Sequence, residues 1–289
     1  MNNSSKSALW FILSLFISIT NDTITKVLGN TISPSTISFW RFLSSTIILL
    51  PSIFYYKISV LKTDKIFIHI IRGGILAVAI SFWCYGMRFV PISTVTLTSF
   101  TIPMFTLILS RVFLKEKVGL KTMIATIIGF SGSILTLSPK NIALPLFSWI
   151  FIIASILFAT LDILNKMLLN KGEKTLVMIF YSNLFSAIFS SLIPGTEFLG
   201  IDSNSLGLFF ILGIGANLIL FCILKAFSLA NASFLAPFRY LELLISMLVG
   251  ALFFRENISI NMIIGGIMII IASVLIDKRV KTQNSVEKA

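Results

Sequence analysis

Ten apolar runs of helical length follow one another along this chain, and no loop between them is long enough to fold by itself. They cover roughly residues 8–28, 35–55, 67–87, 93–113, 119–138, 146–167, 175–194, 206–228, 233–254 and 259–276. About 20 apolar residues in a helix cross the ~30 Å hydrocarbon layer of a bilayer. The runs are continuously apolar and do not alternate, which excludes a β-barrel. The longest polar stretches, Gly195 to Ser205 and the tail after Asp277, hold about a dozen residues, against a domain minimum of about 50. With 56% hydrophobic and 12% charged residues, the chain lacks the polar surface that a soluble domain of 289 residues needs. The fold expected is an all-α membrane protein of ten transmembrane helices, embedded in a lipid bilayer.

The formal net charge of +12 would suit a nucleic-acid binder, but no basic stripe interleaved with aromatics lies on a soluble face. The charge instead marks topology. With the N-terminus in the cytoplasm, the inner segments hold Lys6, Lys57, Lys62, Lys65, Arg111, Lys115, Lys117, Lys121, Lys171, Lys174, Lys278, Arg279, Lys281 and Lys288. The outer loops hold only Arg88, Lys140 and Arg255. The positive-inside rule therefore puts both termini in the cytoplasm, the topology signal of an inner-membrane protein. The run from Ala8 to Ile19 has no small-x-small cleavage site and continues into apolar sequence, so it reads as a span and not as a signal peptide. Cys84 and Cys222 fall in apolar runs outside any Cys-x-x-Cys unit, and His69 is the sole histidine. Neither a metal, a cofactor nor a disulfide is expected, and both cysteines read as small packing residues.

One polar device occurs twice. Asn21-Asp22-Thr23-Ile24-Thr25-Lys26 and Leu161-Asp162-Ile163-Leu164-Asn165-Lys166 share an Asp-x-x-x-Lys spacing, 140 residues apart. Asp and Lys at this spacing share a helix face, one turn from each other. The same offset matches Gly73 with Gly213, Ser93 with Ser233, and Ser133 and Leu135 with Ser273 and Leu275. It also matches Phe113-Leu114-Lys115-Glu116 with Phe253-Phe254-Arg255-Glu256. A constant, gapless offset argues for two repeats, 1–140 and 141–289, the second ending in the basic cytoplasmic tail. Five spans is an odd number, so the second repeat enters from the opposite side: two inverted five-helix repeats. Such repeats place a binding site near the midplane, at their interface.

The intramembrane charges are Asp22 and Lys26 in span one, Arg41 in span two, Asp162 and Lys166 in span six, Lys225 in span eight, and Arg239 and Glu242 in span nine. Each costs about 3 kcal/mol at mid-bilayer on insertion scales, so each must be hidden between helices or along a wet cavity. Arg239 and Glu242, three apart, share a face next to Pro237, which frees a backbone carbonyl and can kink the span. Pro103 lies in the matching span four. Arg41, flanked by Trp40 and Phe42, suits a carboxylate clamp stacked on a ring; the matching segment reads Phe180-Tyr181. Lys26, Lys166 and Lys225 lie nearer span ends, where a lysine can snorkel to the interface. Arg72, beside His69 and Gly73-Gly74 at the start of span three, is expected at the inner surface. Candidate binding residues are thus Asp22, Lys26, Trp40, Arg41, Asp162, Lys166, Tyr181, Lys225, Arg239, Tyr240 and Glu242. Trp83, Tyr85, Phe180 and Phe238 are further aromatics that could line a cavity, although most aromatics in spans pack or form interface belts.

The ten spans in two five-span repeats resemble the EamA-type transporters of the drug/metabolite superfamily over nearly the whole chain. Several strings resemble, within that family, the S-adenosylmethionine uptake transporters of obligate intracellular bacteria. They are Asn21-Asp22 to Lys26, Trp40-Arg41-Phe42, His69-Ile70-Ile71-Arg72-Gly73, Ser99 to Leu107, Leu161 to Lys166, Leu224-Lys225-Ala226-Phe227 and Ala236 to Glu242. The resemblance implies import of S-adenosylmethionine, in exchange for S-adenosylhomocysteine. Arg41 or Arg239 would then hold the ligand carboxylate, and Asp22, Asp162 or Glu242 its ammonium, with aromatics against the sulfonium and adenine. The eight intramembrane charges, five positive and three negative, do not favour a cationic ligand. Either the lysines point away from the site or the ligand is another one.

Two rival functions stand beside a secondary importer working by alternating access. One is an exporter of amino acids or related metabolites, which the superfamily also contains. The other is an intramembrane enzyme, which needs a Ser-His or Asp-Asp constellation at depth. His69 lies at a span end, and each Asp has a Lys one turn away that favours an ionised carboxylate. No Gly-x-x-x-x-Gly-Lys-[Ser/Thr] loop is present for ATP-driven pumping. The expectation is a non-enzymatic carrier of a small molecule; its oligomeric state is not legible.

Overall fold

The structure is a computed structural model that describes residues 3–29, 31–86, 99–137, 148–199, 201–254 and 260–275. Every regular element among them is helical. The first half holds α1 (Asn3–Leu28), α2 (Pro34–Tyr56), α3 (Ile66–Gly86), α4 (Ile102–Phe113) and α5 (Leu120–Leu137). The second holds α6 (Ser148–Asn170), α7 (Thr175–Ser191), α8 (Ser203–Leu229), α9 (Ala232–Leu235), α10 (Leu241–Phe254) and α11 (Ile260–Leu275). Five of these, α1, α2, α3, α6 and α8, are long and apolar enough to cross a membrane. Helix stands in each of the ten apolar runs, but two runs are interrupted: span four at Phe100–Thr101, where a turn separates Ser99 from α4, and span nine. A 3-10 turn, Ala236–Tyr240, separates α9 from α10, with Pro237 at its start. Pro removes one backbone donor and fixes its own φ, which weakens the ladder there; α2 carries Pro51 without a break, whereas at Pro237 the chain tightens into the 3-10 turn. Pro103, by contrast, sits in the first turn of α4, where its missing N–H costs nothing.

The packing is that of a membrane protein. Leu9, Leu13, Phe16, Ile47, Phe54, Ile127, Ile214 and Ile267 are exposed, while Ser7, Ser14, Ser45, Asn21, Asn183, Asn217 and Ser186 are buried. Lipid is as apolar as leucine, so small residues and buried hydrogen bonds, not segregation from water, hold the helices together. Both matched glycines serve this purpose. A Cβ on Gly213 would stand 2.8 Å from the Ser45 nitrogen of α2, and one on Gly73 would strike Phe185 of α7. Ser45 Oγ donates to the Gly213 carbonyl at 3.2 Å, and Ser186 Oγ to the Gly73 carbonyl at 3.0 Å. Asn217 donates to the Ser45 carbonyl at 2.9 Å and accepts from Asn183 at 2.8 Å. The α5–α11 crossing brings Gly132 so near α11 that an added Cβ would lie 2.8 Å from the Gly265 carbonyl.

Helix pairing repeats when the halves are exchanged. α1 packs on α8 and α6 on α3; α2 packs on α8 and α7 on α3; α4 packs on α6, and the broken span nine on α1. The pairs α2–α7 and α5–α11 map onto themselves. Ser93, Arg88, Lys140, Arg255, Glu256 and the tail after Leu275 lie outside the described residues, so the matches and topology signals that fall on them are not located.

Candidate functional site

Five of the eight intramembrane charges converge between the halves. The strongest link is the ion pair between Arg239 Nη2 and Asp162 Oδ2, at 2.7 Å, with side chains 16% and 9% exposed. It joins the 3-10 turn to α6. The guanidinium also lies over the Phe11 ring of α1, 5.7 Å from its centroid. Thr106 of α4 is beside Asp162 but lacks the geometry of a full hydrogen bond. Glu242, in the first turn of α10, lies beside Ser18 of α1 and within coulombic reach of both Arg239 and Asp22. Asp22 is in turn within reach of Arg41, on α2, next to Cys84 of α3. The Arg41 side chain makes no hydrogen bond or ion pair among the described residues, and its buried Nε is unpartnered. Ser38, one turn earlier on α2, also has a buried hydroxyl without a partner.

The helix break explains how two of these residues reach the site. A continuous helix satisfies its own N–H and C=O groups. The 3-10 turn opens the ladder and presents Arg239 towards α6 and α1, while Glu242 begins α10, where an anion faces the positive end of a helix dipole. The chain Arg41, Asp22, Glu242, Arg239, Asp162 thus runs across both halves, with one closed ion pair at one end and an open Asp–Arg pair at the other.

The remaining candidates lie elsewhere. Lys26 and Lys225 are exposed. Lys166 does not snorkel: it is 9% exposed, and its Nζ donates to the Phe227 and Ala230 carbonyls at 2.6 and 2.8 Å. Trp40 stacks on Phe209 at 6.1 Å and donates its indole N–H to the Glu197 carbonyl at 3.2 Å. Tyr240 is fully buried against Phe100. Tyr181 lines an open cleft of about 580 Å³ with Ser59, Lys62 and Thr63, and donates its hydroxyl to the Leu61 carbonyl at 3.1 Å. Trp83 packs edge-on against Phe151 and Phe158. Cys84 and Cys222 are buried, as expected of packing residues.

Arg72 is a correction. It is 1% exposed and not a surface arginine: Nη1 donates to the Met178 carbonyl at 3.3 Å and contacts His69 Nδ1 at 3.1 Å, while Nη2 donates to Asn165 Oδ1. Beside it, Glu173 pairs with Lys65 at 3.2 Å and stands 3.7 Å from His69. Sequence reasoning missed this network because its members come from three helices and two loops. It also missed Glu116, whose carboxylate accepts from the Ala232 and Ser233 N–H groups and the Ser233 hydroxyl. The signal was present, since Glu116 ends one of the repeated strings and Asn165 adjoins another.

Removing Lys26, Lys166 and Lys225 changes the charge balance. The converging group has three carboxylates (Asp22, Asp162, Glu242) against two guanidinium groups (Arg41, Arg239), a formal net charge of −1 with all five ionised. A buried set with an uncompensated anion is poorly solvated until a cation joins it. Such a site can hold a small zwitterion that carries one extra positive charge.

A protein-family model, the EamA-like transporter family, matches twice, over residues 5–138 and 146–276. The chain is 40% identical over 274 residues to an S-adenosylmethionine uptake transporter of Rickettsia conorii, covering 93% of each protein. It is 27% identical over 242 residues to a riboflavin transporter of Brucella anthropi, covering 82% of this chain and 85% of that one. A solved crystal structure shares the fold with a TM-score of 0.80 at 14% identity, covering 96% of this chain and 99% of the other. The chain therefore belongs to the EamA-like transporter family.

Proposed function

We propose that this protein imports S-adenosylmethionine by alternating access, in exchange for S-adenosylhomocysteine, across a bacterial inner membrane. The single observation that carries the choice of substrate is the formal net charge of −1 on the converging side chains, once the three lysines are seen to lie outside it. S-adenosylmethionine has one carboxylate, one ammonium and one sulfonium, a net charge of +1. Relatives named as its uptake transporters, at about 40% identity, support the same ligand.

Arg41 is the carboxylate anchor: it has donors to spare, and a guanidinium binds a carboxylate through two parallel bonds. Asp22 and Glu242 take the ammonium and sulfonium. Asp162, already paired, keeps Arg239 in place. Riboflavin, which carries no ionised group, would leave the charges of Asp22, Arg41 and Glu242 without an ionic partner in the ligand.

The two halves form an inverted repeat, with both termini in the cytoplasm. The 140-residue offset, the twofold family match and the exchange symmetry of the helix pairs support this reading. The α2–α3, α4–α5 and α6–α7 loops then face the cytoplasm, which suits their lysines. Rocking one half against the other exposes the charges to each side in turn.

Uptake into proteoliposomes tests the proposal. Labelled S-adenosylmethionine enters, faster when S-adenosylhomocysteine is inside, and Asp22→Ala, Arg41→Ala and Glu242→Ala each abolish entry while the protein still inserts. Indifference to both compounds, with counterflow of amino acids, would make the protein an exporter of that class. Wild-type uptake in all three variants would remove the site assignment.

A further inference from the structure

The turn between α8 and α9, Ala230 to Asn231, is gripped by two buried ions that belong to other parts of the chain. Glu116, from the α4–α5 corner of the first half, accepts from Ala232 N at 3.1 Å, Ser233 N at 2.9 Å and Ser233 Oγ at 2.6 Å. Lys166 of α6 donates to Phe227 O at 2.6 Å and Ala230 O at 2.8 Å. Both side chains are more than nine-tenths buried, and the charge of Glu116 acts on Lys166. The last carbonyls of α8 and the first N–H groups of α9 have no partners within their own helices. A cation on the former and an anion on the latter match the helix dipoles.

Three observations make this more than a cap. First, Asn231 stands at the N-cap of α9 yet makes no side-chain capping bond. An asparagine there is an ordinary local solution, but the bonds are supplied instead by a carboxylate from the opposite half. Second, Lys166 lies one turn after Asp162. One face of α6 therefore holds the turn through Lys166 and Arg239 through Asp162, so the segment from Phe227 to Arg239 is fixed at three points. Third, among the described residues the repeat is engaged in one copy only; Glu256 and Ser93, which match Glu116 and Ser233, lie outside them. Lys26, which matches Lys166, is exposed and its side chain makes no hydrogen bond or ion pair among the described residues, and Asp22, which matches Asp162, forms no ion pair there. The pairing of α6 with α8 likewise has no counterpart of comparable extent among the described residues.

We infer that Glu116 and Lys166 are positioning residues that clamp the α8–α9 turn while this end of the carrier is closed, and that the turn leaves them when it opens. They do not touch the substrate. Held by them, the short helix α9 sets the register of the 3-10 turn, and with it the place of Arg239 and Glu242. The inference rests on the reading of the protein as a carrier whose ends open alternately; it does not depend on which substrate is carried.

The test reads access and not transport. Ser110 of α4, a helix that packs on α9, is fully buried. Ser110→Cys gives a reporter for a membrane-impermeant maleimide, quantified site by site by mass spectrometry on protein in nanodiscs. Buried Cys222 of α8 serves as the control for global unfolding. Glu116→Ala and Lys166→Met are expected to raise the labelling rate at position 110 about fivefold or more, with Cys222 unchanged, and Lys166→Arg to restore the slow rate. Saturating S-adenosylmethionine is expected to change the rate in the otherwise wild-type protein. If the ligand changes the rate but the clamp variants do not, the clamp is overturned and the carrier reading stands. If neither ligand nor variants change it, the clamp is overturned and S-adenosylmethionine is not the ligand that moves this end. If Cys222 becomes reactive in parallel, the two residues only hold the fold together and the inference is also overturned.

Discussion

The Asp162–Arg239 pair is the contact most open to quantitative attack. Its atoms are 2.7 Å apart and its side chains 9% and 16% exposed. Removing one partner of a buried pair costs about 3–5 kcal/mol, because the survivor keeps its charge without compensation. In Asp162→Asn, Arg239 still lies over the Phe11 ring at 5.7 Å and within reach of Glu242, and the amide oxygen can still accept one bond. The loss is therefore set at the low end, about 3 kcal/mol, or roughly 150-fold in the unfolding equilibrium. Arg239→Gln leaves Asp162 with only Thr106 beside it, and is expected to cost about 4 kcal/mol. The double variant removes both charges and is expected to be better than the sum by at least about 1.5 kcal/mol. Thermal unfolding of the four proteins in one detergent, under one scan rate, supplies the cycle. Additivity within about 0.5 kcal/mol would mean that the two groups do not interact, and the pairing would be refuted.

Other outcomes follow from the same geometry. Gly213→Ala puts a methyl group against the α2 backbone and is expected to destabilise by about 1–3 kcal/mol, seen as a lower melting temperature. Arg72→Leu strips the donors from Asn165 and the Met178 carbonyl and is expected to cost about 2–3 kcal/mol in the same assay. Lys26→Gln and Lys225→Gln change exposed groups outside the site, so uptake is expected within about twofold of wild type, the ordinary range for surface substitutions. Glu242→Gln removes a negative charge from the site and is expected to weaken S-adenosylmethionine binding by about tenfold or more, while the neutral-sulfur S-adenosylhomocysteine loses less; competition binding measures the ratio.

Much of the architecture is legible in sequence because lipid makes local composition decisive. Ten apolar runs had to be helices, and Pro237 could disturb its own. The 140-residue offset also picked out Gly73 and Gly213, which both turn out to be places where helices touch closely. What could not be read is which way a charged side chain points. Lys26 and Lys166 each follow an Asp by four residues, yet one is exposed and the other is buried against carbonyls from α8. Arg72 looks like an interfacial arginine from its place at a span start. Its partners Asn165 and Met178 lie about a hundred residues away, so nothing local announces its burial. The charge balance, unfavourable to a cation when all eight groups are counted, becomes favourable only once tertiary packing removes three lysines from the site.

Equilibrium binding of labelled S-adenosylmethionine to purified protein is the most direct measurement of whether the converging charges form the binding site. Wild type and the Lys26→Gln/Lys225→Gln double variant are expected to bind with equal affinity, and Arg41→Ala and Glu242→Gln to lose about tenfold or more each while remaining folded. Unchanged affinity in both site variants, or a loss of binding confined to the lysine variant, would show that the ligand sits elsewhere.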